Sequence, residues 1–218
     1  MTVSESLDIE PRWSIALTIV VVLGLTFLPG RVRVLPPWVV CVIAAVLIAP
    51  MVAMSFSPAK ERWLRIEGIV TIAFVVFAVV WMLVDLKDLF VKMVTPPSGI
   101  TGIQLLNSSI ALWAGNVLTF AVLYWRVDRG GSVARAKRMP SAPDWLFPRE
   151  EADNELLPAW HPTFVDYLYL AFCTAAAFTP AEAMPMTARA KLLMMAEGLI
   201  ALVTLLAIAS RAIGLLGS

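Results

Sequence analysis

Residues 66–83 read IEGIVTIAFVVFAVVWML, and Glu67 is the single charge in the run. A helix of about 18 or more apolar residues with almost no charge is long enough to cross the hydrocarbon of a bilayer. The rest of the chain points the same way. It has 218 residues, 60% of them hydrophobic and 15% charged, and its mean hydropathy is +0.82. Soluble domains run near 45–50% apolar and about 25% charged. One soluble core of this size could not hide that much apolar surface, so lipid is the expected solvent.

Outward from residues 66–83, the pattern repeats. Ser14 to Leu28 is a short span closed by Pro29-Gly30. Pro37 to Phe56 is a second, with Pro50 placed to kink it. The third run continues as helix toward Val94 until Pro96-Pro97 stops it, Ile103 to Trp125 is the fourth, and Leu192 to Leu216 the last. Phe164 to Thr179 carries Asp166, Tyr167 and Tyr169. At about 16 residues it suits either a thin or tilted span or a re-entrant helix buried among the others. The sequence leaves both open. The expected fold is an all-α integral membrane bundle of five spanning helices plus this one short spanning or re-entrant helix. It divides into a four-helix membrane region (1–126), a cytoplasmic or interfacial linker (127–162), and a short helix, loop and final helix (163–218).

Trp13, Trp38, Trp63, Trp125 and Trp160 sit at the edges of apolar runs, where an indole finds an apolar face and wet N–H partners. Trp81 and Trp113 lie deeper and read as packing residues. With the N-terminus inside, ten Lys and Arg fall on cytoplasmic segments (Arg12; Lys60, Arg62, Arg65; Arg126, Arg129, Arg135, Lys137, Arg138, Arg149) against four outside (Arg31, Arg33, Lys87, Lys92). That asymmetry predicts a cytoplasmic N-terminus and a cytoplasmic linker. The linker begins basic and turns acidic at Glu150, Glu151, Asp153 and Glu155, and its Pro143-Asp144-Trp145-Leu146-Phe147-Pro148 stretch predicts a strand-free loop on the membrane surface, its basic residues meeting anionic headgroups. The first residues carry Glu5, Asp8 and Glu10 and lack the basic start and small-residue exit of a cleaved signal. The first span is expected to stay as an anchor.

Several classes of function drop out. A net charge of +1 gives no general pull toward nucleic acid. Cys41 and Cys173 lie in apolar runs and read as buried small hydrophobes, and His161 is the only histidine, so no site of several His or Cys ligands can form. There is no nucleophile elbow, phosphate loop or Cys–His couple. No cofactor and no catalytic residue is expected. The partners expected are the bilayer and a homo-oligomer.

Charges within membrane helices are costly and face the bundle interior. Glu197, Thr204 and Arg211 are spaced by seven and share one stripe of the last helix, since a straight helix drifts only about 20° per heptad. Glu197 and Arg211 lie about 21 Å apart along the axis and cannot pair. On the fourth helix Asn107, Ala111, Gly115 and Thr119 recur every four residues with Asn116 adjacent. Small residues there let backbones approach and the amides bond across, so this face is expected to pack toward Glu197. Thr187 is placed to cap the final helix, with Arg189 and Lys191 as interface anchors or partners of Glu182. The candidate intramembrane or pore-like residues are Asn116, Asp166, Thr174, Glu182, Glu197, Thr204 and Arg211.

The spacing Glu182, Pro185, Thr187, followed by a helix from Ala188, resembles the segment after the filter in two-helix potassium channels, over about the last 55 residues. The filter itself is absent: Ala177-Phe178-Thr179-Pro180-Ala181 has no glycine to supply the backbone conformations of a carbonyl ring. The resemblance therefore implies a pore-module layout without potassium selectivity. Trp125-Arg126-Val127-Asp128-Arg129-Gly130-Gly131, Asp144-Trp145-Leu146-Phe147-Pro148 and Phe164-Val165-Asp166-Tyr167-Leu168-Tyr169 resemble a group of bacterial multi-pass membrane proteins without assigned function. That resemblance implies a bacterial inner membrane. Two functions are expected from different classes. One is a channel-like or transport-related role through the C-terminal helix, loop and helix. The other is a non-catalytic sensor, scaffold or accessory subunit using the linker.

Overall fold

The apolar runs fold as helices. The computed structural model describes residues 13–27, 37–56, 60–94, 102–136, 141–151, 160–176 and 183–216, and these are mostly helical. Helix α1 is Trp13–Gly24, followed by one 3-10 turn, Leu25–Phe27. Helix α2 is Pro37–Phe56 with Pro50 inside it. Helix α3, Lys60–Val94, is 35 residues without a proline, about 50 Å long. Helix α4 is Gly102–Val127, and the short α5 is Gly131–Ala136. Strand β1 (Trp145–Leu146) and helix α6 (Pro148–Glu151) come from the linker. Helix α7 is Phe164–Ala176, strand β2 is Met184–Pro185, and helix α8 is Ala188–Leu216.

Among the described residues α3, α4 and α8 are long and apolar enough to cross a membrane. The expected five full spans are thus reduced to three. For α1 the reason is length. Helix α1 gives way to a tighter turn after 12 residues, about 18 Å of α-helix against a core of about 30 Å. Helix α2 is 20 residues long, and the continuous run of described side chains within it is Cys41–Pro50.

Helix α4 is the centre of the molecule, packing against α1, α3, α7 and α8. Half of its apolar window is buried, against 28% for α3 and for α8. The core runs along it through Phe120, Ala121, Tyr124 and Trp125 to Tyr167, Leu170 and Ala171 of α7 and Ala201 of α8. Trp125, expected in an interfacial belt, is buried beneath the Arg135 guanidinium, 4.7 Å from the ring centroid. Trp13 and Trp38 are exposed. Trp81 stacks on Phe77. Cys173 is buried as expected, whereas Cys41 faces outward from α2.

The linker is not strand-free. Trp145 pairs with Pro185 and Leu146 with Met184 in an antiparallel ladder. Met186 N–H extends it by donating to Asp144 O at 2.8 Å. Trp145 is fully buried, its ring 4.7 Å from that of Tyr124 and its indole N–H donating to Met194 Sδ. The apolar side chains of 145–147 draw the segment onto the helix ends, where it forms a cap.

Bond partners fix the direction of α7. Its first turn meets the end of α4, where Tyr167 donates to Asp128. Its last turn lies beside Trp113, whose indole N–H donates to Ala175 O at 3.2 Å. Trp113 is about 22 Å back along α4 from Asp128. Helix α8 begins again at the Asp128 end, where Thr187 and Arg189 bond Asp144. Ala183 shares a cavity there with Phe147 and Asp166. Both α7 and α8 therefore start where α4 stops.

Candidate functional site

Two polar centres lie on the α4–α7–α8 unit. The deeper one is at the α4–α8 contact. Heptad spacing puts Glu197, Ala201 and Thr204 on one stripe of α8, and all three are buried, while Leu192, Met195, Leu199, Leu202 and Leu206 form the exposed stripe opposite. Glu197 is fully buried. Tyr124 O–H donates to its Oε2. Asn116 Nδ2 donates to the Glu197 backbone carbonyl at 3.1 Å. Glu197 Oε1, Asn116 Oδ1 and Thr119 Oγ1 are buried without a hydrogen-bond partner among the described residues. Leaving a buried polar atom unmade costs about 1–3 kcal/mol, so the two at the Asn116–Glu197 contact call for an account.

Asn116 thus meets Glu197, but the whole small-residue face does not. Ala111, Gly115 and Thr119 line a cavity of about 60 Å³ shared with α1 and α3, and a Cβ on Gly115 would meet Leu25. A quarter turn separates Asn116 from that edge, which the four-residue spacing alone could not resolve.

The remaining expected residues separate. Thr204 is buried and bonds back to Ile200 O at 2.8 Å, as Thr174 does to Leu170 O at 2.9 Å. Thr174 packs against α8 at Gly198. Asp166 accepts from both Thr163 N–H and Thr163 Oγ1, at 2.6 and 2.7 Å. Asp166 thus reaches back to the Thr163 N–H as in one half of a capping box, while its own N–H donates to Thr163 O at 3.0 Å. Glu182 lies outside the described residues, and so does the side chain of Arg211, although α8 includes its backbone.

The second centre, at the cap, was not expected. Asp128 is fully buried. Its Oδ1 accepts Asp144 N–H at 2.7 Å, and its Oδ2 accepts Tyr167 O–H at 2.5 Å and faces Arg129 Nε at 3.4 Å. Asp144, almost as buried, accepts Thr187 O–H at 2.6 Å and Arg189 Nη2 at 2.5 Å. Arg189 thus pairs with the linker. Thr187 Oγ1 in turn accepts Ala190 N–H and caps α8. Arg135 Nη1 donates to the Trp125 and Asp128 carbonyls at 2.8 and 2.9 Å, closing the frayed end of α4. Tyr167 is outside the three membrane-length helices. Burial first, then the Asp128 carboxylate, raises its pKa well above the ordinary value and keeps it a donor.

The turn that makes this possible uses three residues of positive φ, Arg129 (53°), Gly130 (74°) and Gly131 (83°). Arg126 lies between Gly131 and Gly68 of α3, donating to Gly68 O at 3.5 Å, and a Cβ at either glycine would strike its guanidinium.

Neither centre holds a nucleophile with a base, and among the described residues no group of three or more His, Cys, Asp or Glu gathers. Glu197 can hold a proton or offer Oε1 to water or a cation. In the cap centre Asp128 and Asp144 are each met by several donors and tie the end of α4, the linker, α7 and α8 together. Comparison with protein-family models, curated proteins and solved structures finds no match to this chain.

Proposed function

We propose that this is a multi-pass protein of the bacterial inner membrane with a channel-like or transport-related role, built on the α4–α7–α8 unit, with Glu197 as its intramembrane ion- or proton-handling group. The observation that carries the reading is a fully buried carboxyl in a membrane-length helix, one oxygen held by Tyr124 and the other without a described partner. A carboxyl at such depth is expensive and marks ion paths and relays.

The course of α7 supports the same reading. A 13-residue helix that starts at the end from which α8 also starts is the layout of a re-entrant segment. Irregular backbone at membrane depth is tolerated where protein or water covers it. In this reading α3, α4 and α8 cross, the N-terminus is cytoplasmic, α7 dips in from the cytoplasmic side, and copies of the chain assemble around it. No catalytic role is proposed.

The test is ion flux. The full chain in liposomes with a trapped pH dye, under an imposed potential, is expected to pass protons or a monovalent cation, and Glu197→Gln to abolish the flux. Absence of flux in the wild type, for protons and for each alkali cation, removes the reading. The second reading, a non-catalytic sensor, scaffold or accessory subunit, is favoured by one observation: Asn116, Glu197 and Thr204 are sealed within one chain. A wild type without flux that is a monomer in detergent supports it.

A further inference from the structure

The cap holds a cavity that neither polar centre uses. It measures about 170 Å³ and lies between α6, the first turns of α7 and Ala183. Its walls include Phe147, Trp160 and Tyr169, and its charged members among the described residues are Arg149 and Asp166. Phe147 and Trp160 meet edge to face at 6.0 Å.

Opposite charges in one cavity would ordinarily pair. Here Arg149 forms no ion pair with Asp166 or any other described residue. Asp166 spends Oδ2 on Thr163, and Oδ1 takes no bond among the described residues. A simple anion would meet the Asp166 carboxylate, and a simple cation would meet the guanidinium. One ligand class answers both, an ammonium and an anionic group on one short linker. Aromatic walls beside a carboxylate suit the ammonium, and a guanidinium suits a phosphate. The cavity sits at the end where α4 stops, beside Trp160 and the exposed Tyr169. That is the place of headgroups if α4 crosses the membrane.

We propose that this cavity binds a phosphoethanolamine group, its ammonium on Asp166 among the aromatic rings and its phosphate on Arg149. The group comes either from a phosphatidylethanolamine of the bilayer or from a soluble molecule. The proposal does not depend on ion flux.

Calorimetric titration of the full chain in a nonionic detergent tests it, with O-phosphoethanolamine as the probe. Saturable binding is expected, with inorganic phosphate alone and ethanolamine alone each weaker by about tenfold or more. Arg149→Gln is expected to weaken phosphoethanolamine about tenfold while leaving ethanolamine unchanged. Asp166→Asn is expected to do the reverse, sparing phosphate. Tyr169→Ala, which leaves the Asp166–Thr163 bonds intact, is expected to cost about fivefold and stands in if Asp166→Asn fails to fold. Nanodiscs of mixed phosphatidylethanolamine and phosphatidylglycerol separate the sources. Enrichment of the former in lipid retained by the wild type, lost in Arg149→Gln, supports the bilayer. Binding of the soluble probe without enrichment supports a soluble ligand. No saturable binding and no enrichment overturns the proposal. So do equal binding of all three probes and indifference of folded variants to the substitutions.

Discussion

Glu197 and Asp128 are both fully buried carboxyls, yet their surroundings differ. Asp128 is met by an N–H, a phenol and a guanidinium, whereas Glu197 has one phenol and an oxygen without a partner among the described residues. Replacing the charge should therefore act oppositely. Asp128→Asn puts an amide N–H₂ against donors and should lower stability by about 1–3 kcal/mol, read as the melting temperature in detergent. Glu197→Gln keeps the shape and removes an underpaired acid, so its melting temperature should equal or exceed the wild type's. A fall as large as that of Asp128→Asn would show Glu197 to be structural. Only one of the two was legible in the sequence. Glu197 lies on a heptad stripe, and helix geometry turns such a stripe inward as a unit. Asp128 meets Asp144 and Tyr167, 16 and 39 residues away. No period links them, so their convergence appears only with the fold.

Elements show the same division. Helices α3, α4 and α8 were legible because long apolar runs have few other solutions, and α3 extends six residues before the Ile66 start of its run. The two-residue strands have no period to read, and α1 fell short because composition does not show where a helix tightens into a 3-10 turn. The exit of α4 rests on Gly131, with φ +83° and its Cβ position 2.9 Å from the Arg126 carbonyl. Gly131→Ala should cost about 1–3 kcal/mol, a melting drop of about 2–10 °C, while Gly24→Ala, with nothing within 4 Å, should not lower it. The course of α7 predicts an accessibility pattern. In a Cys41→Ser background, Ser141→Cys before β1 and Met186→Cys after β2, both exposed, should both be shielded from an impermeant maleimide in intact cells and both react in inverted membrane vesicles. Labelling from opposite faces would mean that α7 crosses.

At the scale of the molecule, burial and polarity are decoupled. Helix α3 turns Glu67, Thr71, Phe74 and Met82 inward and Ile69, Val76, Val80 and Leu83 outward. Both faces are largely apolar, so the helix is sorted by what it touches and not by hydropathy. In water such a surface would aggregate, and in hydrocarbon it is the ordinary outer face. Val76, 58% exposed near the middle of the Arg62–Val91 window, separates the two solvents. On a surface facing water, Val→Arg changes stability by about 0.5 kcal/mol or less. At the centre of a spanning helix an arginine costs about 2.5–3.5 kcal/mol on insertion scales, and losing valine adds a few tenths. Val76→Arg should therefore lower the membrane-integrated fraction about a hundredfold in the insertion equilibrium, measured as protein resistant to alkaline extraction, with Val76→Leu unchanged. The inward Thr71 sharpens the comparison. Thr71→Val replaces a side chain that touches protein and should leave insertion intact, whatever it does to packing. If Val76→Arg integrates like the wild type, the outer face of α3 does not meet lipid, and the charge count that orients the helices loses its basis.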